Sequence, residues 1–274
     1  MMDVSVPELL KVAEAAANVG GRVLLDHRYT PLEIEHKARQ EVVTNVDKLA
    51  DQAICELIRH YFPDHAIVSE ESGVRQTASP YTWIIDPLDG TESYIRGQNF
   101  AGVTVAVSKA GHILVGVVYH PFHDELYAAA VDRETTVNGH TVHVTDVGDL
   151  KQARLILDYS PRDDLRRHFN ALEWNRGFKQ AFRIGGSVAL NMCLVARGAA
   201  EGYLYSRMRN RVKSWDIAAA ALIVQGAGGR VLDRQGQPLD TQQPQGFLMC
   251  CNASLDLRTL FDGDLFGTTE AGGR

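Results

Sequence analysis

The chain has 274 residues, 45% of them hydrophobic, enough to bury a large core without disulfide or metal staples. A formal net charge of −6 argues against a surface that coats nucleic acid. No run is apolar enough to span a bilayer, and Met1 to Val6 lacks the basic flank and apolar core of a signal peptide. Cys55, Cys193, Cys250 and Cys251 lack metal-ligand spacing and read as buried free thiols, which fits a reducing cytoplasm.

In chain order, Pro7 to Asp26 reads as an amphipathic helix with Leu9, Val12, Ala13, Ala16, Val23 and Leu24 on one face. A polar stretch, Glu33 to Glu41, leads into a second helix that starts at Asp47 and carries Ile54, Leu57, Ile58 and Tyr61. Asp47 suits a helix N-cap. Strands follow: Ala66 to Val68, the buried run Trp83 to Ile85, Phe100 to Val107, Ile113 to Tyr119 and Leu126 to Val131. Asn138-Gly139 signals a hairpin. The first half thus reads as helices followed by an antiparallel meander. The second half alternates: a strand at Leu155 to Leu157, a charged region from Arg162 to Arg176, a helix at Ser187 to Ala196 and a strand at Gly202 to Tyr205. It closes with an Ala-rich helix opened by Asp216 and strands at Arg230 to Leu232 and Phe247 to Cys251. The expected organisation is one unit over 1–266, with an N-terminal half at about 1–150, a C-terminal half at 151–266 contributing Asp216, and a flexible tail at 267–274.

Four of these elements carry acids at their ends. Asp86-Pro87-Leu88-Asp89-Gly90-Thr91 directly follows the Trp83 strand, so two carboxylates three residues apart can converge beside free backbone N–H groups and a hydroxyl. Ser69-Glu70-Glu71-Ser72-Gly73 ends the preceding strand, and Asp47 and Asp216 stand at helix starts. Singly each could be a turn or a cap. Together they offer the oxygen ligands that hard cations require, with no His or Cys among them, which favours Mg2+.

The strand followed by Asp86 to Thr91, and Trp215-Asp216 before a small-residue helix ending at Gly228-Gly229, resemble the two diagnostic patterns of the inositol monophosphatase family. The likeness runs through nearly the whole chain and includes Gly186-Ser187-Val188-Ala189-Leu190-Asn191-Met192-Cys193. It implies an α/β (α+β) fold, a layered α-β-α-β-α sandwich of the inositol monophosphatase/fructose-1,6-bisphosphatase type. It also implies hydrolysis of a small phosphorylated metabolite with two or three Mg2+ ions, Mn2+ as a substitute, Ca2+ and Li+ as inhibitors, and a homodimer.

By the same resemblance, Glu70, Asp86 and the Leu88 carbonyl hold one ion. Asp86 bridges to a second, completed by Asp89 and Asp216, and a third leans on Glu70. Thr91, paired with Asp47, orients the attacking water. Gly90 and Thr91 cradle the phosphate; the expected substrate site adds Gly186, Ser187, Tyr205, Asp89 and Asp216, and Arg207 and Arg209 join it from this chain's own basic segment before Trp215. Thr44 is expected to support Asp47, Glu71 to support the ligands, and Trp83 and Tyr119 to lie in the core. His120, His140 and His143 are expected at the surface.

The chain departs from the pattern in ways that bear on substrate. Glu92-Ser93-Tyr94 after Thr91 is closer to relatives acting on 3′-phosphoadenosine 5′-phosphate. The stretch before Trp215 holds Arg207, Arg209, Arg211 and Lys213 and no acid, where the inositol enzymes carry a Glu that hydrogen-bonds the ring. Those bases suit a second phosphate or a solvated loop. Inositol 1-phosphate ranks first, then 3′-phosphoadenosine 5′-phosphate, with fructose 1,6-bisphosphate and histidinol phosphate behind. A regulatory, RNA-polymerase-associated relative is the non-enzyme alternative. No regularly spaced Ca2+-binding loop is present.

Overall fold

In α1 (Val6–Asp26) Pro7 sits in the first turn, where its missing N–H costs nothing, and Ser5 caps the helix by accepting the Glu8 N–H at 3.4 Å. The computed structural model describes residues 4–38, 41–159, 177–206, 212–244 and 246–260. The charged region from Arg162 to Arg176 and the tail at 267–274 lie outside them. The stretch read as polar contributes a hairpin, β1 (Ile34–Ala38) with β2 (Glu41–Thr44), whose register runs Ile34 opposite Thr44.

The second helix, α2 (Asn45–Tyr61), is capped by Thr44 and not by Asp47. Asp47 is its third residue and closes a capping box, accepting the Thr44 N–H at 2.9 Å. The cap is thus one turn earlier than the acid suggested, because Asp47 serves the box from inside the helix.

The larger sheet comprises β3 (Ala66–Ser69), β4 (Gly73–Arg75), β5 (Tyr81–Asp89), β6 (Gly102–Lys109), β7 (His112–His120), β8 (Glu125–Ala130), β9 (Thr136–Val137) and β10 (His140–Thr141), in the order β10-β9-β8-β7-β6-β5-β3-β4. From β5 to β10 it is the antiparallel meander expected, with Asn138 and Gly139 both at positive φ in the last hairpin. β3, in contrast, runs parallel to β5. A short helix, α3 (Thr91–Ile95), follows β5.

The smaller sheet holds β11 (Arg154–Tyr159), β12 (Gln180–Phe182), β13 (Gly202–Ser206), β14 (Gly229–Leu232) and β15 (Phe247–Asn252), ordered β12-β11-β13-β15-β14. Between the two sheets lie α4 (Val188–Ala196) and α5 (Ser214–Gly226). Both are apolar on nearly every face, as a helix enclosed by two sheets must be. Gly116 of β7 makes the close approach possible: a Cβ there would lie 2.5 Å from the Ala219 carbonyl oxygen.

Side-chain alternation sorts the layers. Trp83, Ile85, Val103, Val105, Val107, Val115 and Val117 face α1 and α2, whereas Ile84, Ala106 and Val118 face α4 and α5. Covered on both sides, β5 to β7 read as near-continuous apolar runs. The smaller sheet's outer face is packed by Phe178, Leu255, Leu257 and Leu260, so the described residues form an α-β-α-β stack under an irregular cover. Trp83 and Tyr119 are buried and His140 and His143 exposed, as expected. His120 is not at the surface: it is 3% exposed, enclosed by Phe100, Phe122 and His123 where β7 ends inside the fold. All four cysteines are buried and unpaired with one another. No described helix is long and apolar enough to cross a membrane.

Candidate metal and phosphate site

Opposite Asp86 and Asp89 of β5 stand Thr104 and Gly102 of β6, so three steps on one strand face two on the other. This is a bulge. Pro87 tolerates it because it has no N–H to give the ladder. In a regular strand residues i and i+3 would point to opposite faces; the extra residue turns both carboxylates to one side. Asp86 then accepts the Leu88 N–H at 2.9 Å.

Parallel pairing brings the next acid. Ser69 of β3 pairs with Ile85, so the chain leaves the sheet at Glu70 alongside Asp86, and the Glu70 N–H donates to the Ile85 carbonyl at 3.2 Å. The third acid arrives through β6. Thr104, Asp86's partner, donates its hydroxyl to the Trp215 carbonyl at 2.7 Å and so pins the start of α5. Asp216, in that first turn, accepts the Lys213 N–H at 2.7 Å. The helix begins at Ser214, two residues before the acid that marked it in the sequence. Ligand oxygens of Glu70, Asp86 and Asp216 lie within 4.8 Å of one another.

Asp89 sits against α4 instead. Its carboxylate accepts the Ser187 hydroxyl at 2.5 Å, the Ala189 N–H at 2.8 Å and the Val188 N–H at 3.3 Å, which binds it to the positive end of the helix. Ser187 also accepts the Leu190 N–H at 2.9 Å as the α4 cap. Gly90 has φ 96°, and a Cβ on it would meet the Phe100 carbonyl oxygen and the Ser187 nitrogen at 2.9 Å each, so only glycine lets these three segments close together. Gly186, at φ 113°, is confined by Ser93 and Phe100 in the same place.

Thr91 donates to Asp47 Oδ1 and to the Leu88 carbonyl, each at 3.1 Å. Thr44 supports Asp47 as expected, its hydroxyl lying 2.5 Å from Asp47 Oδ2. Tyr205 is buried in the core between the sheets. Arg207, Arg209 and Arg211 lie outside the described residues, and Lys213 is exposed.

Burial and mutual repulsion set the electrostatics of these acids. Burial pushes Asp86 well above the carboxylate range, and the charges of Glu70, Asp89 and Asp216 push it further. Asp216 is held high by burial, then by Asp89 and Glu70, with the Lys213 charge partly offsetting them. Burial raises Asp89 to about 6 against the opposing hydrogen bonds from Ser187, Ala189 and Val188, with Asp158 adding to the rise. Burial also raises Asp47, against its bonds to Thr44 and Thr91. Carboxylates crowded in this way are stabilised by divalent cations, and an all-oxygen donor set suits Mg2+.

Residues 5–258 match the profile described as "Inositol monophosphatase family". The chain belongs to the inositol monophosphatase family. Among inositol monophosphatase relatives, the "Fructose-1,6-bisphosphatase/inositol-1-monophosphatase" of Aquifex aeolicus is 36% identical, covering 84% of this chain and 86% of its own. The "Nus factor SuhB" of Pasteurella multocida is also 36% identical, covering 83% and 86%. The Thermotoga maritima IMPase structure aligns with a TM-score of 0.79 at 27% identity, covering 90% of this chain and 93% of its own.

The family patterns located the acids but gave no hint of Asp158. It directly follows the apolar run Leu155 to Leu157, as Asp86 follows Trp83 to Ile85, and that shared position was the available signal.

Proposed function

We propose that this protein is a Mg2+-dependent phosphomonoesterase acting on a small phosphate ester, with inositol 1-phosphate first among candidates. The observation that carries the reading is the convergence of Glu70, Asp86 and Asp216 from β3, β5 and α5 within 4.8 Å, beside Asp89. These residues, with the Leu88 carbonyl, would hold the metal. Bound divalent ions supply charge neutralisation at the leaving oxygen and a more acidic water as nucleophile.

The chain's own groups do the rest. Thr91 has its proton directed to Asp47 or to the Leu88 carbonyl, so an oxygen lone pair is left to accept from an attacking water. Asp47, its basicity raised by burial, takes up the proton through Thr91. The backbone at Gly90 and Thr91, opened by the missing Cβ, lets a phosphate approach main-chain N–H groups. Ser187 and the first turn of α4 hold Asp89 in place.

Relatives of equal identity carry a phosphatase name and a Nus-factor name, so names alone do not decide. The convergence of Glu70, Asp86 and Asp216 in one cluster, with Asp89 beside it, favours catalysis. The test is phosphate release from inositol 1-phosphate, 3′-phosphoadenosine 5′-phosphate, fructose 1,6-bisphosphate and histidinol phosphate, with Mg2+ and with EDTA. Mg2+-dependent release, fastest from inositol 1-phosphate, is expected. A folded protein that releases phosphate from none of them would overturn the reading and leave the regulatory one.

A further inference from the structure

Asp47, Asp51 and Cys55 stand four residues apart on α2 and are all buried, so they form one stripe along the helix. Each reaches a different point of the site's frame. Asp47 accepts the Thr91 hydroxyl at the end of β5, 3.1 Å away. Asp51 Oδ1 accepts the hydroxyl of Ser69, the last residue of β3. The same oxygen accepts the Cys55 thiol at 3.8 Å, and that thiol also lies 3.8 Å from the Ser72 hydroxyl. The turn that carries Glu70 is thus held at Ser69 and at Ser72 against consecutive turns of one helix.

Ser69 is 1% exposed and Asp51 5%, so the bond between them is shielded from water. Ile67, two residues before Ser69, packs in the core with α1 and α2, and by alternation Ser69 faces the same way. Glu70 follows immediately, and its N–H closes on the Ile85 carbonyl at 3.2 Å. Backbone pairing to β5 therefore fixes one side of this turn, and the Ser69 bond to Asp51 fixes the side facing α2. We propose that Asp51 is a positioning residue for the metal site. By holding Ser69 it sets Glu70 against Asp86 and Asp216, and through α2 it keeps that ligand in register with the Asp47–Thr91 pair. The inference rests on the metal-dependent reading of the site and deepens it. The role needs an acceptor at Oδ1 and not a charge, since both donors meet that one atom.

The experiment measures Mg2+ affinity by calorimetry without substrate, beside thermal unfolding in EDTA, for Asp51→Ala, Asp51→Asn, Ser69→Ala and the double variant with both alanines. A residue that orients a metal ligand without touching the ion is worth about ten- to a hundredfold in metal affinity. Asp51→Ala and Ser69→Ala should each weaken Mg2+ binding by about tenfold or more. Asp51→Asn keeps the acceptor and should stay within a few-fold of the native sequence. The double variant should bind Mg2+ about as well as the weaker single one, because both changes remove the same bond. A purely structural role would lower Tm in EDTA and leave Mg2+ affinity unchanged, and that outcome overturns the proposal. So would equal losses in Asp51→Asn and Asp51→Ala, which would assign the effect to the charge, or losses that multiply in the double variant. Ser69→Ala and Asp51→Asn carry the test if Asp51→Ala does not fold. If the native protein binds no Mg2+ at all, the metal reading itself falls, and this inference with it.

Discussion

Glu70 leaves β3 directly alongside Asp86 of β5, because parallel pairing sets Ser69 opposite Ile85 and the Glu70 N–H closes on the Ile85 carbonyl. Two carboxylates so placed repel each other unless a cation lies between them, and Asp216 adds a third. Asp86→Asn should therefore act in opposite directions on activity and stability. Activity should fall on the order of a thousandfold or more. The metal-free protein should gain stability near neutral pH, because a buried like charge is removed. The sign follows from the raised carboxyls: their stabilising contribution is present below about pH 4, the ordinary unfolded value, and is lost as pH rises through the raised folded values, through about 6 for Asp89. Thermal unfolding in EDTA and in Mg2+ at about pH 5 and pH 8 checks it. The stabilisation by Mg2+ should grow with pH in the native sequence and shrink in Asp86→Asn; equal stabilisation in both would refute it.

Much of this was legible in the sequence, for definite reasons. The apolar runs of β5 to β7 are buried on both faces, and acids at the ends of apolar segments marked Glu70, Asp86, Asp89 and Asp216. The errors share a cause, in that local pattern does not show what a neighbouring element provides. Asp47 resembles a cap, yet Thr44 precedes it and the two complete one box. His120 beside Pro121 resembles a surface turn, yet Phe100 and Phe122 close over it.

Ser187 links the acids to α4. Replacing it with Ala removes the donor to Asp89 and the acceptor for the Leu190 N–H, both inside the protein. A lost N-cap costs about 1 kcal/mol, or roughly 2–4 °C in Tm for a chain of this size. Asp89 keeps its backbone donors, so Mg2+ affinity should weaken only several-fold. Calorimetry with Mg2+ titration measures both. A variant with native Tm would show that the cap contributes nothing.

His65 supplies a pH dependence independent of metal. The Trp83 indole N–H donates to His65 Nδ1 at 3.1 Å, so the ring is neutral with its proton on Nε2. Phe62 and Tyr81 stack on its two faces at 4.6 and 4.8 Å. Burial lowers its pKa, partly offset by the charge of Asp64. Because the folded value lies below the unfolded one, the protonated ring favours the unfolded chain. Its contribution is therefore intact above about pH 6.5 and is lost as pH falls below that, by up to about 1.4 kcal/mol per unit until the folded value is reached. His65→Gln can still accept from Trp83 and does not titrate. The fall in Tm between about pH 7 and pH 5 should be smaller in that variant; an identical fall would remove His65 from the account.

Thr91 and Asp47 should behave as one device. Their 3.1 Å bond connects the end of β5 to the first turn of α2, and in the proposed relay a water's proton passes through Thr91 to Asp47. Thr91→Val keeps the shape and removes the relay, and should lower kcat by about a hundred- to ten-thousandfold with Mg2+ affinity preserved. Asp47→Asn should cost a similar factor and also some stability, since the carboxylate closes the α2 capping box. In a chain of two coupled groups, the second removal finds little left to lose. The double variant should therefore be only a few-fold slower than the worse single one. Multiplicative losses would mean that the two residues act separately, and that Thr91 does not pass a proton to Asp47.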